Sequence, residues 1–117
     1  GKIINIASIM SKMARHHVSA YITSKAAVAG LTRAMTSEWA EQGINCNAIG
    51  PGYISTELTQ SLFTDQAFSQ WLTDHTPAGR WGEVQDLIGT AIYLAAPASD
   101  FVHGQIIYVD GGMTSTV

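Results

Sequence analysis

Two short apolar runs, Lys2–Ala7 and Ile44–Ile49, bracket a proline-free stretch of 22 residues from Ala20 to Glu41. This order limits the fold more than any other feature. Lys2-Ile-Ile-Asn-Ile-Ala7 is β-branched and nearly continuous in apolar character, and reads as a buried strand of a parallel sheet. Ala20–Glu41 is alanine-rich and places Ala27, Leu31, Ala34, Met35 and Trp39 on one helical face, predicted to be buried. Gly43 follows as a helix stop. Ile44-Asn-Cys-Asn-Ala-Ile49 is a second strand. Strand, helix, strand is a βαβ unit, for which a right-handed crossover is expected. The fold class is therefore α/β with a parallel sheet.

Beyond the second strand, Gly50-Pro51-Gly52 forms a fixed turn with little side-chain bulk. Such a turn lets backbone approach a ligand closely, and equally serves as an ordinary tight turn. Ser55–Thr76 has weak helical periodicity and carries Leu58, Leu62, Phe63, Phe68, Trp71 and Leu72. It reads as a helical cover over a site, or as plain core helices. Thr76–Gly82 is a loop. Glu83–Ala96 is a helix with Val84, Leu87, Ile88, Ala91, Ile92, Leu94 and Ala95 on its buried face, stopped by Pro97. Gln105–Val109 is a third strand, closed by Asp110-Gly111-Gly112.

The chemistry concentrates between Ser8 and Lys25. Tyr21 and Lys25 are four apart, so on a helix their side chains share a face and can meet one ligand. A nearby ammonium favours a tyrosinate, and tuning of this kind is what a general acid/base requires. Ser8, thirteen positions before Tyr21 and just past a strand end, would supply a neutral hydroxyl to an oxygen on which charge changes. Taken alone, the pair reads first as a half-buried helical tyrosine beside a solvated lysine. Its surroundings reverse that.

Composition excludes several other functions. The chain has 117 residues, 46% apolar and 13% charged, with net charge -3 and no basic cluster, which argues against a nucleic-acid surface. No apolar run approaches the ~20 residues needed to cross a bilayer. One cysteine, Cys46, permits no internal disulfide and fits a reducing, cytoplasmic compartment. His16 and His17 are adjacent, and His75 and His103 stand alone. None has the spacing of a metal site, and all four read as surface or loop residues. Neither Gly-x-Gly-x-x-Gly nor Gly-x-x-x-x-Gly-Lys occurs, so no phosphate cradle is present.

Five linked stretches resemble the short-chain dehydrogenase/reductase family in order and spacing: Ile4-Asn-Ile-Ala-Ser8, Tyr21-x-x-x-Lys25, Asn47-x-x-x-Pro51-Gly52-x-x-x-Thr56, Gly79-Arg80-x-Gly82 and Val109-Asp110-Gly111-Gly112. The resemblance runs from residue 1 to about residue 112. It implies a doubly wound, Rossmann-type sheet binding NAD or NADP, with residues 1–117 as the C-terminal part of a single domain. It implies that Ser8 polarises the substrate carbonyl, that Tyr21 is the general acid/base, and that Lys25 holds the nicotinamide ribose and favours the tyrosinate. Tyr21, Lys25, Pro51, Gly52, Ile54 and Thr56 would contact the cofactor, and Asn47 would support the active-site backbone. Ala7 stands where the family often has serine.

The implied reaction is hydride transfer between NAD(P) and a secondary alcohol or ketone, on a sugar acid or alternatively on a 3-oxoacyl thioester. Arg80 is a candidate partner for a substrate carboxylate, structural anchoring of its loop being the alternative. The implied partners are a small-molecule substrate and copies of the same chain, as a dimer or tetramer paired through the Tyr21 helix and the C-terminal segment, with no nucleic acid and no membrane. The family's first half, with its Gly-rich phosphate loop, has no counterpart here. The chain alone is therefore expected to bind NAD(P)H too weakly for turnover, and a non-catalytic fragment or assembly module is the rival reading.

Overall fold

The computed structural model describes residues 1–117. Its regular elements are β1 (Lys2–Ile6), α1 (Ser19–Trp39), β2 (Asn45–Pro51), α2 (Gln60–Thr64), α3 (Gln66–His75), α4 (Gln85–Ala95) and β3 (Ile106–Val109). The three strands are parallel in the order β1-β2-β3. Lys2 pairs with Asn45 through to Ile6 with Ile49, and Ala48 pairs with Ile106 through to Pro51 with Val109. All three predicted strands form, within one or two residues of their expected ends.

Side chains alternate across a strand, which fixes what each face meets. Asn5 Nδ2 donates to Thr32 Oγ1 of α1 at 3.0 Å. Ile3 and Asn5, with Cys46 and Ala48 beside them in register, therefore face α1. Lys2, Ile4 and Ile6 share the opposite face with Asn45, Asn47 and Ile49. There Lys2 Nζ meets Asp100 Oδ1 at 2.6 Å, and Asn45 Nδ2 donates to the Asp100 carbonyl at 2.9 Å, both just past the end of α4. Helices thus lie on both faces, as a doubly wound sheet requires. The β1–β2 and β2–β3 connections cross opposite faces, so they have opposite hands, and one of them departs from the right-handed rule.

Three burial expectations fail, for physical reasons. On α1, Ala27, Leu31 and Ala34 lie outside, Leu31 being 53% exposed. The face on the sheet runs instead through Val28, Ala29, Thr32, Met35 and Thr36. Its threonines serve the strands: Thr32 takes the Asn5 amide, and Thr36 Oγ1 donates to the Cys46 carbonyl at 3.0 Å. Apolar periodicity misses a buried face that is partly polar. Likewise α4 buries Leu94 and half-buries Leu87 and Ala91, leaving Val84, Ile88, Ile92 and Ala95 exposed. β1 is the edge strand of this sheet, so it is only half-buried and Ile6 is open. His103 also departs from expectation. Its Nε2 lies 3.0 Å from Asn45 Nδ2 and its Nδ1 is buried, whereas His16, His17 and His75 are exposed.

A second core sits where α2, α3 and the loops meet. Ile9, Met10, Leu72, Trp81 and Met113 are buried together, with Tyr53, Leu62 and Phe68 packed against them. Tyr53 and Phe68 meet edge-on, ring centroids 5.5 Å apart, a favoured aromatic geometry. This cluster seats the Ser55–Thr76 cover on the segment that follows β1. No helix is long and apolar enough to cross a membrane.

Asn47, 1% exposed, ties β2 to the segment entering β3. Its Nδ2 donates to the Val102 carbonyl at 2.7 Å, and its Oδ1 accepts from the Gln105 N–H at 3.0 Å. Asn47→Ala leaves the Gln105 N–H without a partner and the Val102 carbonyl with only the Asn45 amide at 3.2 Å, and is expected to cost about 1–3 kcal/mol, the usual cost of one buried group left unpaired. Chemical denaturation of the full-length protein measures this. Ser37→Ala, on the exposed side of α1, is expected to leave the midpoint in place.

Candidate active site

β1 ends at Ile6, and the Ala7 N–H still donates to the Ile49 carbonyl at 2.8 Å. Ser8 then leaves the strand in extended conformation and caps a short 3-10 turn, Ile9–Ser11. Its Oγ accepts from the Met10 N–H at 3.1 Å. That bond uses a lone pair, so the hydroxyl proton remains available to a ligand. Ser8 is 6% exposed, and its remaining surface opens on a cavity of about 310 Å3.

Ser11 was not singled out from the sequence, though the Ser-x-x-Ser spacing is a capping signal. Its hydroxyl accepts from the Ser8 N–H at 3.3 Å and donates to the Lys25 carbonyl at 3.0 Å. Ser11 thereby fixes the Ser8 loop to the second turn of α1.

Tyr21 lies in the first turn of α1, 45% exposed. It lines the same cavity as Ser8, together with Arg15, Gly52, Tyr53 and Leu58. Lys25 follows one turn later. Its Nζ donates to the Ile6 carbonyl at 2.9 Å and lies 5.8 Å from the centroid of the Tyr21 ring. Lys25 does not line the cavity. It stands behind the tyrosine, anchored to the end of β1.

The Pro51-Gly52 turn closes β2. The Gly52 N–H donates to the Val109 carbonyl at 2.9 Å, and a Cβ on Gly52 would approach Asp110 Cα to 2.8 Å, so glycine is required by the packing. Gly52 and Tyr53 form a wall between the Ser8–Tyr21 cavity and a second one of about 240 Å3, which Ile54, Arg80 and Asp110 also line. Ile54 is held by a bridge to Gly82, with the Gly82 N–H on the Tyr53 carbonyl at 2.9 Å. Thr56 caps the next 3-10 turn reciprocally with Thr59. Pro51 and Thr56 line neither cavity.

Of the expected residues, Ser8, Tyr21 and Gly52 come together on one cavity, Lys25 backs it, and Ile54 faces the other. Burial raises the Tyr53 phenol above its ordinary value, the Arg15 charge working against this. Tyr53 is therefore a neutral donor at the cavity wall. For Asp110, burial by itself favours the neutral acid, but bonds from the Thr114 hydroxyl and from the Thr114 and Gly112 N–H groups outweigh it and lower its pKa. Asp110 thus organises the C-terminal turn. No group of three or more His, Cys, Asp or Glu residues is placed to hold a metal ion.

Arg80 does not face a ligand freely. Its two terminal nitrogens grip Asp86 at 2.8 and 2.9 Å, and one also donates to the Trp81 carbonyl. The anchoring alternative therefore holds, and Arg80 is set aside as a carboxylate receptor. The hydrogen bonds from Arg80, aided by the Glu83 N–H, bring the Asp86 carboxyl down to about 2.

A family model described as enoyl-(acyl carrier protein) reductase matches residues 1–114. Gluconate 5-dehydrogenase of Gluconobacter oxydans (strain 621H) is 46% identical over 114 residues, which cover 97% of this chain and 44% of that protein. The 5-keto-D-gluconate 5-reductase of Escherichia coli (strain K12) is 50% identical over 117 residues, covering 100% and 46%. The crystal structure of a gluconate 5-dehydrogenase from Burkholderia cenocepacia J2315, in complex with NADP and tartrate, superposes with a TM-score of 0.99 at 54% identity, covering all of this chain and 46% of that one. The chain spans about half the length of the curated relatives it matches.

The Arg80–Asp86 pair gives a pH signature. A carboxyl held at about 2 in the folded state and near ~3.9 when unfolded stabilises fully above the unfolded value. That stability is lost as pH falls through the folded one. The difference in denaturation midpoint between wild type and Asp86→Asn is expected to be constant above about pH 5 and to shrink steadily toward pH 2. A difference that does not change with pH contradicts the pairing.

Proposed function

The chain belongs to the short-chain dehydrogenase/reductase family, and on that premise we propose that it is the C-terminal, catalytic part of an NAD(P)-dependent oxidoreductase acting on a secondary alcohol or ketone of a sugar acid such as gluconate or 5-ketogluconate. The observation that carries this reading is the pairing of Tyr21 and Ser8 on one cavity, with Lys25 anchored one turn behind.

The bound dinucleotide supplies or accepts the hydride. The chain's own residues handle the proton. In reduction Tyr21 gives its phenolic proton to the substrate oxygen; in oxidation it takes the hydroxyl proton back. Ser8 donates a hydrogen bond to the same oxygen, its own Oγ being steadied by the Met10 N–H. This holds the charge that develops there. Lys25 places its ammonium behind the ring, 5.8 Å from the centroid, as the positive charge beside the proton donor. Tyr21, Lys25, Pro51, Gly52, Ile54 and Thr56 would hold the nicotinamide half of the cofactor. The bare main chain at Gly52, open to both cavities, suits a flat ring lying against it.

We also propose self-association, as a dimer or tetramer, through α1 and the C-terminal segment. The exposed Ala27, Leu31 and Ala34 on one side of α1 support it. A single buried, unpaired Cys46 supports a reducing, cytoplasmic setting. One rival substrate has specific support. The matching family model is described by an acyl-carrier reductase, and Ile9, Met10, Val18, Leu58 and Leu62 give the cavity an apolar lining that suits a 3-oxoacyl thioester.

Two measurements on the full-length enzyme test the reading. Turnover of 5-ketogluconate against an acetoacetyl thioester separates the substrates, and a clear preference for the thioester rejects the sugar acid. Tyr21→Phe keeps the ring and its packing but removes the acid/base group. It is expected to lower kcat by ~10²–10⁴-fold, the usual cost of losing general acid/base catalysis, while NAD(P)H still binds. Ser8→Ala is expected to slow turnover less. Near-wild-type turnover in the phenylalanine variant removes the assignment.

A further inference from the structure

Arg15 is the one cation lining the Ser8–Tyr21 cavity, and no hydrogen bond or salt bridge within the chain engages it. Lys25 donates to the Ile6 carbonyl, Arg80 is clasped by Asp86, and Lys12 lies over the Tyr108 ring at 4.1 Å. Arg15 meets aromatic rings but has no hydrogen-bond or ion-pair partner. Its Nε is buried without a hydrogen-bond acceptor, and neither salt bridge of the chain includes it. Its guanidinium carbon stands 5.5 Å from the Phe68 ring centroid and 6.0 Å from that of Tyr53. These rings hold it in place through their faces without satisfying its N–H donors.

No acidic side chain is at hand to do so. The first acidic residue in the sequence is Glu38, and none lines the three cavities that Arg15 borders. A partly buried charge with open donors is costly unless an anion meets it. Five fixed N–H donors in a planar fork match a carboxylate, which can take two of them at once.

We propose that Arg15 binds the carboxylate of the substrate and so selects hydroxy and keto acids over neutral polyols. The proposal rests on the sugar-acid reading above and assigns it a determinant. Arg15 shares one cavity of about 310 Å3 with Ser8 and Tyr21, near the lower limit of typical ligand pockets, ~300–1,000 Å3. A short-chain acid whose reacting carbon lies at Ser8 and Tyr21 can place its carboxylate at Arg15 within that one space. The neutral Tyr53 phenol stands beside the guanidinium as a further donor. Phe68 and Tyr53 give the pair a dry wall, which strengthens a charge-assisted bond. The Ser55–Thr76 cover then acts on selectivity indirectly, by supplying through Phe68 the surface on which Arg15 lies.

The test compares gluconate with gluconamide, the neutral isostere, in the full-length enzyme. Wild type is expected to prefer the acid in kcat/KM, chiefly through KM. Arg15→Gln is expected to shrink that preference by ~10–100-fold, the range for losing a hydrogen-bonded charge. Arg15→Lys, which keeps the charge but not the fork, should fall between. Equal losses on both substrates mean that Arg15 only packs against Phe68, and overturn the proposal, as does a wild type indifferent to the two. If neither compound turns over, the sugar-acid reading fails separately. Tryptophan-fluorescence titration with gluconate and gluconamide then judges Arg15: a preference for the acid that Arg15→Gln abolishes supports it, and no preference overturns it.

Discussion

The site depends on how the first two turns of α1 are fixed to the end of β1. Two hydrogen bonds do this. Lys25 Nζ reaches the Ile6 carbonyl at 2.9 Å, and the Ser11 hydroxyl reaches the Lys25 carbonyl at 3.0 Å. The first carries a full charge, so it is among the stronger kinds of hydrogen bond. The Ala7 N–H points toward β2, and alternation turns the Ile6 carbonyl away from it. Lys25 occupies that otherwise free acceptor. The same ammonium lies behind Tyr21, 5.8 Å from its ring centroid, so one side chain both anchors the helix and places a positive charge near the phenol. Ser11 joins Ser8 to the same helix, which leaves the serine and tyrosine little freedom to drift apart.

The opposite wall is built by different means. β2 is buried along Asn45–Gly50 and carries polar side chains where apolar ones would be usual. Asn45 and Asn47 use their amides to fasten the segment between α4 and β3. That fixes β3 and the Asp110 turn against Gly52. Gly52 in turn leaves bare backbone between the two cavities. Buried polar groups are costly unless every donor and acceptor is met. Here they are met by main chain, which converts polar burial into a defined strand-end geometry.

Much of this was legible in the residues themselves. Three strands and the long helix follow from apolar runs and from Gly43, which takes the left-handed conformation at φ 76°. The Ser8, Tyr21 and Lys25 constellation follows from spacing. What was not legible depends on contacts distant in sequence. Arg15 owes its surroundings to Phe68 and Tyr53, on segments that only the tertiary fold brings near. Asp86 withdraws Arg80 from the ligand, although both lie within seven residues, because only the folded loop turns their side chains together. Apolar periodicity does not reveal the buried face of α1, because Thr32 and Thr36 face the sheet as hydrogen-bonding groups, which an apolar count treats as solvent-exposed.

On the proposed reading, Lys25 acts on the reaction through Tyr21 and not independently of it. A double-mutant cycle in the full-length enzyme addresses this directly, with kcat measured at saturating cofactor for Tyr21→Phe, Lys25→Met and the pair together. Groups that act as a unit lose their effects non-additively. On that reading Lys25→Met, strongly impairing in the wild-type background, has little further effect on kcat once Tyr21 is phenylalanine. Two losses that simply multiply would contradict it.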